Sequence, residues 1–540
     1  MALAGLPLQE RQIVLDLLSQ IRQRMLTPEK IREWDAGEIF PEEALRELLG
    51  PEIGLQLLFL PQEYGGMGGG ARDVAAVSEQ LGRICLGVAT GFLVIHLGSD
   101  PILVGGTEEQ KQKWLGRLAD EGSIVAYAVT EPEAGSNLAA LTTTATPVTG
   151  DGGEITGYRI SGNKQFISNG SYADFLTVLA QTPDGPAFFV VEKDMPGFCP
   201  GKPEEKHGIR SSNTAPLVFD DVLVPVENLL GGVPGKGLDQ ANEVFGFTRL
   251  MVAACALGAG SSALERVVAY AKERVQFGSP LLEKQGYTHK LVLPHLVKIE
   301  AGRAYIEGVC TRLDAGETDL QVEGAVAKLF TTEAADAAAN AAIQALGGYG
   351  YIREYDVEKI KRDVKITCIY EGTSEMMQFI ISVFRWRSTV QSKGALYASM
   401  VERMDALHSA RPDLKGDVLA STLRLLNRLV EEIHKAKGTR QQHVMFRMAE
   451  LAATVEVAMS LAEKAAAATT GEAEAYLSLC SRVNAALTAQ TAFTIANEIL
   501  FGAGLWSPEQ AADIFAATGF AYPPTQAGLV PDLDALRDLI

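Results

Sequence analysis

Val14, Leu17, Leu18, Ile21 and Met25 recur at the three- and four-residue spacing of one helical face, so the chain opens on an amphipathic helix. Pro28 stands where a second helix begins, at a first-turn position that needs no backbone donor. Glu108 to Leu118 carries the same period and is entered through Thr107. At Ser123 the period changes. Ser123–Thr130, Tyr158–Ile160, Phe175–Ala180, Ala187–Val191 and Pro216–Phe219 are short β-rich runs, cut by glycine, aspartate, asparagine and proline turns. They predict an antiparallel β unit of roughly 110 residues. Past Gly237 long helical patterns return, with an alanine-rich block from Ala325 to Ala345. A last helical stretch, Thr389 to Ile540, holds two stripes: Leu423, Leu426, Val430, Ile433, and Val444, Met448, Leu451, Val455. Both have the spacing of a buried face and need a partner surface, which the preceding helices of the same chain are expected to supply. The domains are therefore drawn at 1–122, 123–238, 239–388 and 389–540.

A chain of 540 residues has room for several such units. Its 48 basic and 67 acidic residues give a formal charge of −19. A surface that acidic repels phosphate backbones, so no nucleic acid is expected as a partner. No run reaches the ~18 uninterrupted apolar residues of a membrane span. Arg424, Arg428, Lys435, Lys437, Arg440 and Arg447 form a basic run that reads as a solvated helix face, which limits membrane contact to the periphery. The opening MALAGLPLQERQ lacks the basic-then-apolar order of a secretory signal. Six scattered cysteines, with no CxxC and no histidine ladder, point away from a disulfide framework and from a zinc or iron–sulfur site, and no metal is expected. The expectation is a large acidic enzyme of the cytoplasm, at most peripheral to the inner membrane face.

One glycine pattern misleads. Leu57–Leu60 followed by Gly66-Met-Gly68-Gly-Gly-Ala71 imitates a dinucleotide fingerprint, but Pro61-Gln-Glu-Tyr intervenes and the neighbouring segments are helical, so a plain glycine loop is the reading. Two other segments carry more. In Tyr127-Ala-Val-Thr-Glu-Pro-Glu-Ala-Gly-Ser-Asn137 a strand gives way to a loop whose amides and Ser136 hydroxyl face outward, able to bond the polar edge of a flat ring. Gly162-Asn-Lys-Gln-Phe-Ile-Ser-Asn-Gly170 sets an aromatic and a serine at another strand end. TEPEAGSN, GNKQFISNG, HGIRSSNTAPLVFDDVLVPVENLLG, RVQFGSPL, QALGGYGY and KITCIYEGTSE occur in that order. Together, over roughly residues 30 to 388, they resemble the acyl-CoA dehydrogenase family of flavoenzymes.

The resemblance implies a mainly α fold with a central antiparallel β-barrel, a helical N-terminal domain and a four-helix bundle, with residues 389–540 as an extra helical domain like that of very-long-chain acyl-CoA dehydrogenases. It implies FAD between barrel and bundle, an acyl-CoA substrate, an electron-transferring flavoprotein as acceptor and a homodimer. By the same resemblance Tyr127, Val129, Thr130, Gly135, Ser136, Phe166, Ile167 and Ser168 line the isoalloxazine, Phe166 and Ser168 standing where the family often has tryptophan and threonine. Arg274 reaches the pyrophosphate of a neighbouring subunit's FAD, and Gln276, Phe277, Gln285, Gln344, Gly347, Gly348, Thr373 and Glu375 complete the cofactor set. Ser136, Phe245, Arg249, Tyr370 and Gly372 meet the substrate.

Glu371 is the implied catalytic base, removing the α-proton of the thioester while a β-hydride passes to flavin N5. Its backbone N–H, with a ribityl hydroxyl, implies an oxyanion site. Some family members carry the base where Thr248 stands here, and threonine cannot replace it. Gly246 lacks the acidic residue of many medium-chain-like members, and Ile84 replaces the arginine of those that handle glutaryl groups, so a dicarboxylic acyl group is not expected. An acyl-CoA oxidase or flavin monooxygenase on the same scaffold is the alternative; intact YEGT argues against a flavin-bound scaffold without turnover.

Overall fold

The computed structural model describes residues 5–469 and 471–540. The chain divides into two compact units. The first takes in Met1–Ala259, Cys310–Gln321 and Arg362–Ile366; the second takes in Gly260–Val309, Val322–Lys361 and Thr367–Ile540.

The first unit begins with helices α1 (Leu8–Arg24), α2 (Pro28–Gly37), α3 (Glu42–Leu49), α4 (Ala71–Ile84), α5 (Leu86–Gly105) and α6 (Glu108–Glu121). Val14, Leu18 and Ile21 are the buried stripe of α1. Pro28 opens α2 behind a Thr27 cap, and Thr107 caps α6 in a capping box with Gln110. The misleading glycine segment is a loop, as expected: Leu55–Phe59 is a 3₁₀ turn, and a β-carbon on Gly66 would lie 2.0 Å from the Leu60 carbonyl oxygen.

The middle of this unit is a curled sheet of β1 (Val125–Ala128), β2 (Thr144–Thr149), β3 (Ile155–Ser168), β4 (Phe175–Thr182), β5 (Gly185–Glu192), β6 (Phe198–Pro200) and β7 (Thr214–Pro225). Its order is β1-β4-β2-β3-β7-β6, with β5 against β4. Pairing is antiparallel except for β1 on β4 and one residue pair of β2 on β4, which are parallel. The long connection that parallel pairing requires is available, because β1 and β4 are far apart in sequence. Tyr158, Ile160, Leu176, Phe189, Leu217 and Phe219 fill the sheet's core. Helix α5 packs on β1 so closely that a β-carbon at Gly98 would come within 2.7 Å of Val125.

Helix α7 (Gly237–Glu273) follows, then α8 (Gln285–Leu291), α9 (Leu293–Asp314), α10 (Gln321–Leu346), α11 (Gly348–Tyr351), α12 (Val357–Val364) and α13 (Ser374–Gln391). In the second unit the end of α7 meets α9 and α10 at Gly260, where a β-carbon would sit 2.8 Å from Ile299 and 3.0 Å from Ala335. Helices α5 and α7 are long and apolar enough to cross a membrane, which a search for uninterrupted apolar runs passes over. Most of their apolar windows, 78% and 83%, are buried within the fold, so they serve as core helices.

The same unit holds α14 (Ala395–Ala410), α15 (Gly416–Lys435), α16 (Gln442–Ala467), α17 (Glu472–Asn497), α18 (Pro508–Ala517), α19 (Tyr522–Thr525) and α20 (Leu529–Arg537). Both predicted stripes are buried, on α15 and α16. Their partner surface is the chain itself. Arg385 of α13, 8% exposed, forks onto Glu456 of α16 at 2.9 and 2.7 Å, and Tyr397 of α14 donates to the same carboxylate at 3.3 Å. Gln378 donates to Glu450 at 2.7 Å, and Lys464 reaches Glu307 of α9 at 2.9 Å. In the basic run, Arg424 pairs with Asp405, Arg428 and Lys435 with Glu431 and Glu432, and Arg447 with Glu450 and Glu498.

Candidate active site

In the first unit, Tyr127 on β1 sets its ring 5.8 Å from Phe188, near-parallel, and 6.3 Å edge-on from Phe245. Arg249 lies one helical turn beyond Phe245, its guanidinium 5.6 Å from that ring. Thr248 turns its hydroxyl back to the Val244 carbonyl, 3.2 Å away. Val129 and Thr130 present carbonyls to Lys164 (3.2 Å) and to the Gln165 amide (2.9 Å), which ties the loop after β1 to β3. Gly135 and Ser136 are exposed at the loop's tip, and a β-carbon on Gly135 would touch nothing within 4 Å.

The register of β3 on β7 shifts between Lys164 and Ile167. Such a bulge re-aims side chains. Ile167 turns inward, 3% exposed, while Phe166 is turned out at φ 59° and is 63% exposed. Ser168 pairs with Thr214 at the strand end. A flat aromatic face and hydroxyls thus border one loop, an arrangement that suits a planar ring with a polar edge.

In the second unit, β8 (Val275–Gln276) and β9 (Ser279–Pro280) form a small hairpin with Phe277 at its tip, 99% exposed. A cavity of about 400 Å³ brings Arg274 and Gln276 together with Gly347, Gly348 and Tyr349. A β-carbon on Gly347 or Gly348 would meet nothing within 4 Å, so the bare backbone faces open space there. Gln344 is exposed one turn before. Gln285 begins α8, and its amide donates to both carboxylate oxygens of Asp534 in α20, at 3.2 and 3.0 Å.

Tyr370 and Glu371 are half-buried in the turn that precedes α13. Glu371 has φ 56° and Gly372 φ 91°, two successive left-handed residues. Thr373 then caps α13, accepting from the Met376 amide at 3.3 Å, with Glu375 in the first turn. A non-glycine residue held at positive φ costs of order 1 kcal/mol or more, and such strain gathers at functional sites.

Family models for the acyl-CoA dehydrogenase N-terminal, middle and C-terminal domains match residues 9–122, 126–222 and 235–383, more than half of the chain. The chain belongs to the acyl-CoA dehydrogenase family. It is similar to the acryloyl-CoA reductase (NADH) of Anaerotignum propionicum, 38% identical over 380 residues, 69% of this chain and 94% of that one. It is also similar to a chain in the structure described as the electron transferring flavoprotein of Acidaminococcus fermentans, at 35% identity and TM-score 0.65, with 69% and 97% of the two chains covered. An acyl-CoA dehydrogenase complexed with FAD from Bacillus anthracis matches 98% of this chain and 94% of its own at TM-score 0.85 and 24% identity, so the fold, including residues beyond 388, is shared.

This acyl-CoA dehydrogenase also contains an ion pair that the motif reading passed over. Lys164 and Glu131 are wholly buried and meet at 2.7 Å. Glu131 further accepts from the Thr142 amide (2.6 Å), the Thr142 hydroxyl (2.8 Å) and the Thr143 amide (3.0 Å). Burial pushes the Glu131 carboxyl up, but Lys164 and these donors outweigh it and hold it below the ordinary carboxylate range. Burial pulls Lys164 down to about 8 despite its partner. The signal was present in the sequence: two-residue alternation along β3 puts Lys164 on the inward face with Tyr158 and Ile160.

Lys164→Met should strand the Glu131 charge and cost about 3–5 kcal/mol, read by urea denaturation at neutral pH. The carboxylate's share is present above its unfolded value near ~4.3 and is lost as pH falls toward the depressed folded one, so the gap should close on acidification. A gap that stays constant from pH 7 to 3 would show that the pair does not hold this loop.

Proposed function

We propose that the protein oxidises a saturated acyl-CoA to the trans-2-enoyl-CoA with FAD as cofactor, Glu371 as general base and an electron-transferring flavoprotein as acceptor, acting in the cytoplasm as a homodimer. The observation that carries this reading is Glu371 itself, half-buried on strained backbone inside the matched C-terminal family domain. When bound, FAD supplies the two-electron acceptor that takes the β-hydrogen as hydride. The residues present fit that group. Exposed Phe166 offers a stacking face, Thr130, Ser136 and Ser168 offer hydroxyls, and Val129, Gly135 and Ile167 supply backbone around them. Arg274 suits a pyrophosphate, because its planar fork matches paired phosphate oxygens and never deprotonates.

Glu371 would remove the α-proton, its backbone N–H donating to the thioester oxygen as charge develops there. Phe245, Arg249 and Tyr370 would hold the acyl-CoA, Arg249 answering its negative charge. Phe277 and Tyr351, 99% and 83% exposed, are aromatic surface that a second copy would cover. In that dimer Arg274, Gln276, Gly347 and Gly348 serve the partner's cofactor.

Anaerobic titration with a panel of acyl-CoAs tests the reading. At least one saturated member should bleach the flavin within a turnover, and the best one identifies the acyl group. A flavin that no acyl-CoA reduces would overturn it, whereas stoichiometric oxygen uptake in air would make the enzyme an oxidase. Arg274→Ala should purify largely without FAD and regain activity when FAD is added, since the lost contact is to pyrophosphate and not to the reacting ring. A fully flavinated, slow Arg274→Ala would place that arginine elsewhere.

A further inference from the structure

We propose that Lys328 is a positioning residue for the general base: its buried ammonium clamps the Gly372 carbonyl and so aims the Glu371 side chain and backbone N–H. The proposal rests on Glu371 being that base. Lys328 lies within α10 with none of its surface exposed, among the largest fully buried side chains of the chain. Its Nζ donates to the Gly372 carbonyl at 2.5 Å. An ammonium taken wholly out of water is costly unless strong acceptors receive its protons. Its neighbours one turn away on α10, Gly324, Ala325, Thr331 and Thr332, are buried and uncharged.

What the lysine holds is the Gly372–Thr373 peptide, one residue beyond Glu371. Two left-handed residues in succession are not self-supporting, and the turn is fixed from both sides. On the α13 side Thr373 caps the helix, and a β-carbon at position 372 would sit 2.7 Å from Met377, itself fully buried. On the α10 side the anchor is Lys328, the charge-assisted one, a single peptide from the base. A base displaced by ~1 Å can lose about 10²-fold in rate, so a stiff anchor at this point sets the rate of proton removal without touching substrate.

Lys328→Met keeps the buried volume and removes the donor. Amide hydrogen exchange in a peptide spanning 367–377 should accelerate by ~10-fold or more, with or without substrate. Flavin reduction should slow by roughly 30–100-fold, while FAD content and acyl-CoA affinity stay within about threefold. Lys328→Arg, which keeps a charged donor, should recover most of the rate. If Lys328→Met does not fold, Lys328→Gln, with a neutral donor, is read in the same way. Exchange and reduction within about twofold of wild type in the folded variant would overturn the clamp, as would equal losses of FAD, substrate affinity and rate. Exchange does not depend on the chemistry. Fast exchange here, alongside a Glu371→Gln enzyme that still reduces flavin, would keep the clamp and remove the base.

Discussion

Glu371→Gln should fold, retain FAD and bind acyl-CoA, yet reduce its flavin at least ~10²–10⁴-fold more slowly than wild type. Amide and carboxylate are nearly the same size, so the half-buried side chain keeps its packing and the left-handed backbone keeps its Thr373 and Lys328 anchors. What disappears is the capacity to accept a proton. Thr248 holds no carboxylate in reserve: it is 4% exposed and its hydroxyl donates to its own helix. Stopped-flow reduction by the best acyl-CoA of the panel is the measurement. A rate within tenfold of wild type would mean that another group removes the α-proton.

The turn around Glu371 was legible as a motif, but its shape was not. Nothing in Ile-Tyr-Glu-Gly-Thr states that Glu371 itself adopts positive φ, since the adjacent glycine is the residue one would assign to it. Elements fixed by local chemistry were readable: Pro28 and Thr107 opened helices, and Gly66 made a loop. The parallel pairing of β1 with β4 was not, because strand runs carry alternation but no information about which distant strand they join. Lys164 and Lys328 were missed for a related reason. A lysine is by default a surface residue, and only its phase within a strand or an otherwise apolar helix reveals that it is buried. Both then support loops that carry predicted site residues. The cavity joining Arg274 to Gly347 and Gly348 likewise needed tertiary structure to bring two helix-end motifs together.

Ending the chain after Val390 should convert the proposed homodimer into tetramers or aggregates. The full-length protein should run in light scattering as twice 57.8 kDa. Residues 389–540 lie within the same compact unit as α13 and most of α9 and α10, and their removal uncovers what they bury there. Ile381 lies one turn before Arg385 on α13, and both are buried, Arg385 against Glu456 of α16. Each apolar side chain returned to water costs about 1.5–3 kcal/mol, so a helix face of several such residues will seek another partner. Polar loss adds to this. Arg385 loses the Glu456 fork, Gln378 loses Glu450, Lys464 no longer reaches Glu307, and Gln285 loses Asp534 of the last helix. The extension covers these apolar and polar groups of its own unit, which is why its loss should raise the oligomeric state of the proposed dimer and leave the chemistry of Glu371 in place. A full-length tetramer, or a truncated chain that stays a soluble dimer with an unchanged melting temperature, would defeat this account of the extension.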